Sequence, residues 1–239
     1  MKIIIVTQNE PFFIPIVINS ILDNYKHFLD AIVFQEPTEF KNIYNSLLYY
    51  SQFWGICQFL KFSCMFITKS VLRKRYKDIK IINNMDINSK TFIDRAKEAD
   101  YIISIASNQF FCEDLLNAPR VMCLNIHAGP LPKFRGYNPA FWVLYHDEKS
   151  TGVTLHKIVP ELDAGPILIQ KDLIIDPKET WFSLQNRVAK KAAEMLIEAL
   201  PMLEKRDLKL REQDGAPSKF RKPKIEDGKE FRKLGKTFI

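Results

Sequence analysis

The sequence predicts an α/β domain whose core is a mainly parallel sheet, and three observations carry that reading. Lys2–Thr7 (KIIIVT) is a continuous, largely β-branched run, the pattern of a strand buried on both faces. Strand-like and helix-like stretches then alternate through most of the chain. Thr180–Glu204 supplies the clearest helix, with Phe182, Leu184, Val188, Ala192, Met195, Leu196 and Leu200 on an apolar stripe and Thr180 as its N-cap.

The elements follow in order. Pro11 and Pro15 delay the element after the first strand, so a helix is predicted over Ile16–Phe28. Ala31–Phe34 (AIVF) reads as a second strand, and the aromatic, loosely periodic Glu36–Leu60 as a helix or a helix pair. Lys80–Asn83 (KIIN) is a third strand. Ser89 can cap a helix over Ser89–Ala99, with Phe92 and Ala96 on one face. Tyr101–Ala106 (YIISIA) is a strand followed by a short helix over Phe110–Leu116. Arg120–Ile126 (RVMCLNI) is the next strand; it ends in a loop from His127 to Tyr137, and Pro139 suits the first turn of the helix after it. Thr151–Ile158 and Pro166–Ile174 complete the strands. Gly215–Pro223 is a turn-rich break before a basic end able to form a β-hairpin, which divides the chain into a domain over residues 1–204 and a short basic C-terminal extension over 205–239.

At 239 residues with 46% hydrophobic and 26% charged content, the chain is excluded from the disordered, collagenous and mucin-like classes. The formal net charge of +7 is unevenly spread. Residues 1–68 are nearly neutral, whereas Lys69, Arg73, Lys74, Arg75, Lys77 and Lys80 are opposed only by Asp78, and residues 201–239 hold twelve basic against seven acidic side chains. A solvated helical face with a charged tail is one reading; a patch that attracts a phosphorylated substrate is the other. Nucleic acid is disfavoured, because no zinc-knuckle or RRM signature accompanies the charge. Cys57, Cys64, Cys112 and Cys123 have neither CxxC spacing nor scaffold density, so reduced thiols in a cytoplasmic chain are expected. The opening MKIIIVTQNE reads as a strand rather than a leader. Ile56–Thr68 is interrupted by Gln58, Lys61 and Ser63, so no membrane insertion is expected of it; a groove wall or a partner-covered surface is.

The chemistry concentrates at one strand end. Asn125 and His127 stand two residues apart, so their side chains share a face at the carboxyl end of a buried strand, where open α/β sheets place their ligands. Asp163 lies in a Leu-Asp-Ala-Gly turn downstream. A capping pair and an ordinary turn are the plain alternatives. His127, His146 and His156 with Asp147 or Asp163 match no compact metal motif, and no metal is expected.

LNIHAGPLPKFRG followed by TGVTLHKIVPELDAGPILIQ resembles the signature of the folate-dependent formyltransferases, and DYIISIASNQFF resembles the segment that lines their folate pocket. The resemblance is close over about residues 100–175 and looser, in strand order, from residue 1. It implies a Rossmann-like formyltransferase domain with 10-formyltetrahydrofolate as formyl donor. On the motif, the catalytic trio falls on Asn125, His127 and Asp163. Asn125 and His127 would donate hydrogen bonds to the oxyanion, while Asp163 would hold the imidazole and take the amine proton.

The donor side is expected at Ala106, Asn108, Gln109, Phe110, Phe111, Gly129 and Asp163. The acceptor side is expected at Gln8, Asn9, Phe12, Arg73, Lys77, Arg135 and His156, with Arg135 bracing its loop and His156 supporting the site from behind. TQNEPFFIP lacks the glycine-rich loop of the purine-pathway enzymes, and about forty residues do not supply the barrel of the tRNA enzymes. The resemblance therefore points to the sugar N-formyltransferases. It implies a nucleotide-linked substrate such as a dTDP-4-amino-4,6-dideoxyhexose, a role in O-antigen or lipopolysaccharide synthesis, a cytoplasmic location and a homodimer. Formylation of glycinamide ribonucleotide or of a lipid-linked or UDP-linked amino sugar, and a non-catalytic binding module, are the alternatives.

Overall fold

Successive side chains of a strand face opposite ways, and in the first strand both ways lead into apolar packing. Ile3 and Ile5 enter one core cluster, and Ile4 and Val6 enter another on the far side of the sheet. The computed structural model describes residues 1–35, 43–71, 76 and 79–239. Within them the chain runs β1 (Ile3–Gln8), α1 (Ile14–Tyr25), β2 (Leu29–Gln35), α2 (Ile43–Trp54), α3 (Ile56–Val71), β3 (Lys80–Asn83), α4 (Lys90–Ala96), β4 (Tyr101–Ile105), α5 (Glu113–Leu116) and β5 (Met122–His127). It continues through β6 (Arg135–Gly136), α6 (Pro139–Tyr145), β7 (Ser150–Lys157), β8 (Ile167–Ile174), α7 (Trp181–Lys205), β9 (Lys219–Phe220) and α8 (Ile225–Lys233).

Seven strands form one sheet in the order β3-β2-β1-β4-β5-β7-β8. The first five are parallel, while β7 and β8 run antiparallel to their neighbours. The α/β, mainly parallel prediction therefore holds. Strand order reverses between β1 and β4, which opens a crevice at their carboxyl ends. One face is covered by α1, α6, α7, α8 and Phe53 of α2, the other by α4 and α5.

One predicted boundary shifts for an identifiable reason. Helix α1 starts at Ile14 rather than Ile16, because Pro15 occupies its first turn and the Glu10 carboxylate accepts from the amides of Phe12, Phe13 and Ile14 at 2.6, 2.7 and 3.1 Å. Residues 36–42 of the aromatic stretch lie outside the described residues, and the rest of it is a helix pair separated by Gly55. Tyr44, Leu47, Leu48, Ile56 and Leu60 of this pair are exposed. Ser89 and Thr180 are N-caps as expected; Thr180 Oγ1 accepts from Ser183 N at 3.1 Å. No helix among the described residues is long and apolar enough to cross a membrane.

The basic extension is not a hairpin. Residues 219–220 pair in parallel with Arg135–Gly136, and the next segment forms α8. Its charged sequence hides two inward residues, Gly228 and Phe231. A Cβ on Gly228 would stand 2.4 Å from Phe53 Cδ2 and 2.5 Å from Phe53 O, so only glycine permits α8 to approach α2 this closely. Much of the tail's charge is structural as well. Arg232 donates to the carbonyls of Phe53 and Gln52, and Arg221 pairs with Asp227.

Candidate active site

The antiparallel register between β5 and β7 sets Asn125 directly opposite His156 and His127 opposite Thr154. The connection from β7 to β8 then folds back and delivers Asp163 to the same place. Asn125 Nδ2 stands 3.4 Å from Asp163 Oδ1 and 3.2 Å from His156 Nε2. His127 Nδ1 lies 3.5 Å from Asp163 Oδ2, and the Gly136 amide donates to that same oxygen at 2.8 Å. The three residues read as a trio are thus brought together. His156 joins them, whereas His146 caps α6 and is exposed.

Carbonyl oxygens only accept, and this assigns the protons. His156 Nδ1 is 2.9 Å from its neighbour's carbonyl, Lys157 O, so Nδ1 carries hydrogen and Nε2 accepts from Asn125. With Nδ2 facing both His156 Nε2 and Asp163 Oδ1, the way round of the Asn125 amide is set. His127 Nε2 is 2.8 Å from Phe134 O and must likewise bear hydrogen. The second hydrogen bond expected from His127 toward an oxyanion is therefore committed to Phe134 in this structure. Both hydrogens of Asn125 Nδ2 also face protein acceptors, the longer contact being to Asp163.

Burial lowers the His127 pKa, outweighing the pull of the Asp163 carboxylate, so the ring is neutral at pH 7. Burial alone would raise Asp163, but the neighbouring imidazoles, once protonated in acid, and the Gly136 N–H bring it down to about 2. A carboxylate oxygen and a ring-nitrogen lone pair thus converge at Oδ2 and Nδ1, a place where a proton can be held by both. Below the ordinary histidine value of 6.5 the unfolded chain takes up a proton that folded His127 resists, so its contribution is complete above 6.5 and is lost as pH falls. Denaturant midpoints from pH 7.5 to 5.5 should accordingly fall more for the wild type than for His127→Gln; equal slopes would assign the titration to other groups.

Backbone strain gathers here. Ala106, Phe134, Asn138 and Asp163 all have φ between 52 and 57° without being glycine. A Cβ on Gly165, two residues past Asp163, would lie 1.9 Å from Lys157 O, so the turn closes only with glycine there. Gly129 adjoins the trio: a Cβ on it would meet His127 Nε2 at 2.8 Å.

The loop after β4 follows the strand that lies beside β5 in the sheet. Ala106 is exposed, the Asn108 amide donates to Gln35 Oε1 at 3.0 Å, and the side chain of Gln109 accepts from Gln35 Nε2 at 2.8 Å. Phe110 is 73% exposed, while Phe111 packs into the core beside α4 and α5. Gln35, only 3% exposed, was not visible in the sequence as the residue that holds this loop, because a glutamine at a strand end has no distinguishing pattern. Gln8 ends β1, paired with Gln35, and Asn9 is exposed just beyond it. Phe12 is 4% exposed, its ring 4.8 Å from Phe62 and 5.5 Å from Phe182, which makes it part of the aromatic core. Arg135 bonds Glu161 at 3.2 Å and Gln213 at 2.7 Å. Arg73 and Lys77 lie outside the described residues.

Cys123 is buried and its thiol is pushed up to about 12, while Cys57 and Cys64 are exposed. Among the described residues no group of three or more His, Cys, Asp or Glu side chains could hold a metal ion.

Three comparisons bear on this geometry. The chain is 40% identical over 148 residues to methionyl-tRNA formyltransferase of Thermotoga maritima, a match covering 61% of this chain and 47% of that protein. The chain thus spans about half the length of the curated relatives it matches. Among solved structures, a sugar N-formyltransferase from a Shewanella species superposes with a TM-score of 0.64 at 20% identity, covering 92% of this chain and 76% of that one. An N-formyltransferase from Helicobacter canadensis, in complex with folinic acid and dTDP-3-aminofucose, gives 0.60 at 17% identity over 96% and 79%. Residues 80–200, which hold Asn125, His127 and Asp163, match the formyl transferase family model over just more than half of the chain, and the chain belongs to that family.

Proposed function

We propose that this protein transfers a formyl group from 10-formyltetrahydrofolate to the primary amine of a nucleotide-linked amino sugar, with a dTDP-4-amino-4,6-dideoxyhexose as the first substrate to try. The observation that carries the reaction type is the meeting of Asn125, His127 and Asp163 at the carboxyl end of β5, with an ionised carboxylate beside a neutral imidazole. The acceptor class is supported by the neighbouring sugar N-formyltransferase folds, one of them with a reduced folate and a dTDP-amino sugar bound.

The residues present suit such a donor. Phe110 offers an exposed ring, and the backbone of the Ala106–Phe111 loop offers donors and acceptors to a planar, polar heterocycle. When bound, the donor supplies an activated formyl carbon on nitrogen. The chain does the rest. Asn125, oriented by His156, presents N–H groups where a carbonyl oxygen gains charge; its 3.4 Å contact with Asp163 is the easier to exchange for that oxygen. Asp163 Oδ2, with His127 Nδ1 3.5 Å away, holds the proton released by the attacking amine. Gly136 N–H keeps that oxygen in place.

A second reading has its own support: the curated relatives are methionyl-tRNA formyltransferases, so the amine of a charged tRNA is the competing acceptor. Incubation with 10-formyltetrahydrofolate and either amino-sugar nucleotides or methionyl-tRNA, followed by mass spectrometry, separates the two. Formylation of a sugar nucleotide is expected. Formylation of methionyl-tRNA alone would overturn the sugar assignment, and no transfer to any amine would overturn the reaction.

A further inference from the structure

The segment after α7 passes between the two loops that build the site. Gln213 lies there, half-buried, 50 residues from Asp163 and 78 from Arg135 in sequence. Its Nε2 donates to the main-chain carbonyls of Asp163 at 2.7 Å and Gly165 at 2.8 Å. Its Oε1 accepts from Arg135 Nη2 at 2.7 Å and Nε at 3.2 Å. A primary amide has two hydrogens and two lone pairs, so every hydrogen-bonding position of this side chain is spent on those two loops. Asp163 itself has a φ of 52°, a left-handed conformation that a residue with a Cβ adopts only when its surroundings hold it there.

We infer that Gln213 is a positioning residue for Asp163. By holding the carbonyls on either side of Ala164 it fixes the direction in which the carboxylate leaves its turn. By holding Arg135 it ties that turn to the loop whose Gly136 amide binds the same carboxylate. The carboxylate is aimed from three separate parts of the chain, and Gln213 is the side chain that joins them. As a statement about catalysis, this rests on the formyl-transfer reading.

Two substitutions test it. Gln213→Glu keeps oxygens for Arg135 but turns an oxygen toward two carbonyls; Gln213→Leu keeps the bulk and removes all four bonds. Both should lower kcat roughly tenfold to a hundredfold, the usual cost of a small misplacement of a catalytic group. The KM of each substrate should change less than kcat, since the variants act on the setting of Asp163 and Arg135 and leave the loop after β4 untouched. Hydrogen exchange of peptides spanning residues 134–137 and 161–166, read by mass spectrometry without substrate, should rise while β5 and the unfolding midpoint stay as in the wild type. Glu212→Ala, an exposed neighbour, should behave as wild type. Unchanged kcat and exchange would overturn the inference. So would exchange rising throughout the domain with a lowered midpoint, or failure of both variants to fold, since each means support of the fold in general. A wild type inactive on every amine sinks the functional reading instead, and the exchange comparison then decides this one alone.

Discussion

An Asn125→Ala variant is expected to lose roughly a hundredfold to a thousandfold in kcat for formyl transfer, the range seen when one donor to a developing oxyanion is removed. Its fold should survive, because the Asn125 side chain is half-buried and its partners are His156 and Asp163 rather than the core. Asp163→Asn tests the proton-holding role in the same assay. The amide keeps the shape but replaces one carboxylate oxygen with a donor, so the site loses its charge and its convergence with His127 Nδ1. The double variant should be little worse than the worse single one, since the residues act as a unit. Turnover that survives both single substitutions would move the reaction centre elsewhere.

The second large effect is on stability. Phe231→Ala should cost about 3–5 kcal/mol, as for other fully buried aromatic truncations. The ring is 0% exposed, with its centroid 4.9 Å from Phe141 and 4.7 Å from Phe238. These contacts bind α8, far along the chain, to α6 of the main body. Gly228→Ala should also destabilise, against the ordinary preference of helices for alanine over glycine, because the added methyl meets Phe53. Urea midpoints read both. A change below about 0.5 kcal/mol for Phe231→Ala, the scale of a surface substitution, would mean that α8 is not part of the core.

These expectations also mark where the sequence was informative. Strands such as KIIIVT and YIISIA could be read because burial on both faces leaves an uninterrupted apolar signature. The i, i+2 spacing of Asn125 and His127 required a shared face, and the structure has it. What could not be read depends on long-range pairing. Glu10 looks like a loop carboxylate until α1 turns its amides toward it. Helix α8 has nine residues with only Gly228 and Phe231 buried, too few to show a period among charges. Gln35, Gln213 and Ser218 are polar residues at strand ends or in irregular segments, where neither period nor composition distinguishes a group that braces a site from one that faces water. His127 was readable as to identity but not as to state, because its proton is fixed by the Phe134 carbonyl, and that depends on how the 129–136 loop folds.

The pairing of β6 with β9 has a consequence in time. Ser218 accepts from the Phe134 amide across 84 residues, so the loop that carries Phe134, Arg135 and Gly136 has no partner strand until residues 218–220 exist. At about 5–20 residues per second of synthesis, the ribosome leaves that loop waiting for roughly 4 to 17 seconds after its own residues are made. The parallel strands and the trio's residues can come together during this interval, but the setting of the carboxylate cannot. The nascent protein should therefore gain the loop after β4 first and the final setting of Asp163 later, as the segment after α7 emerges.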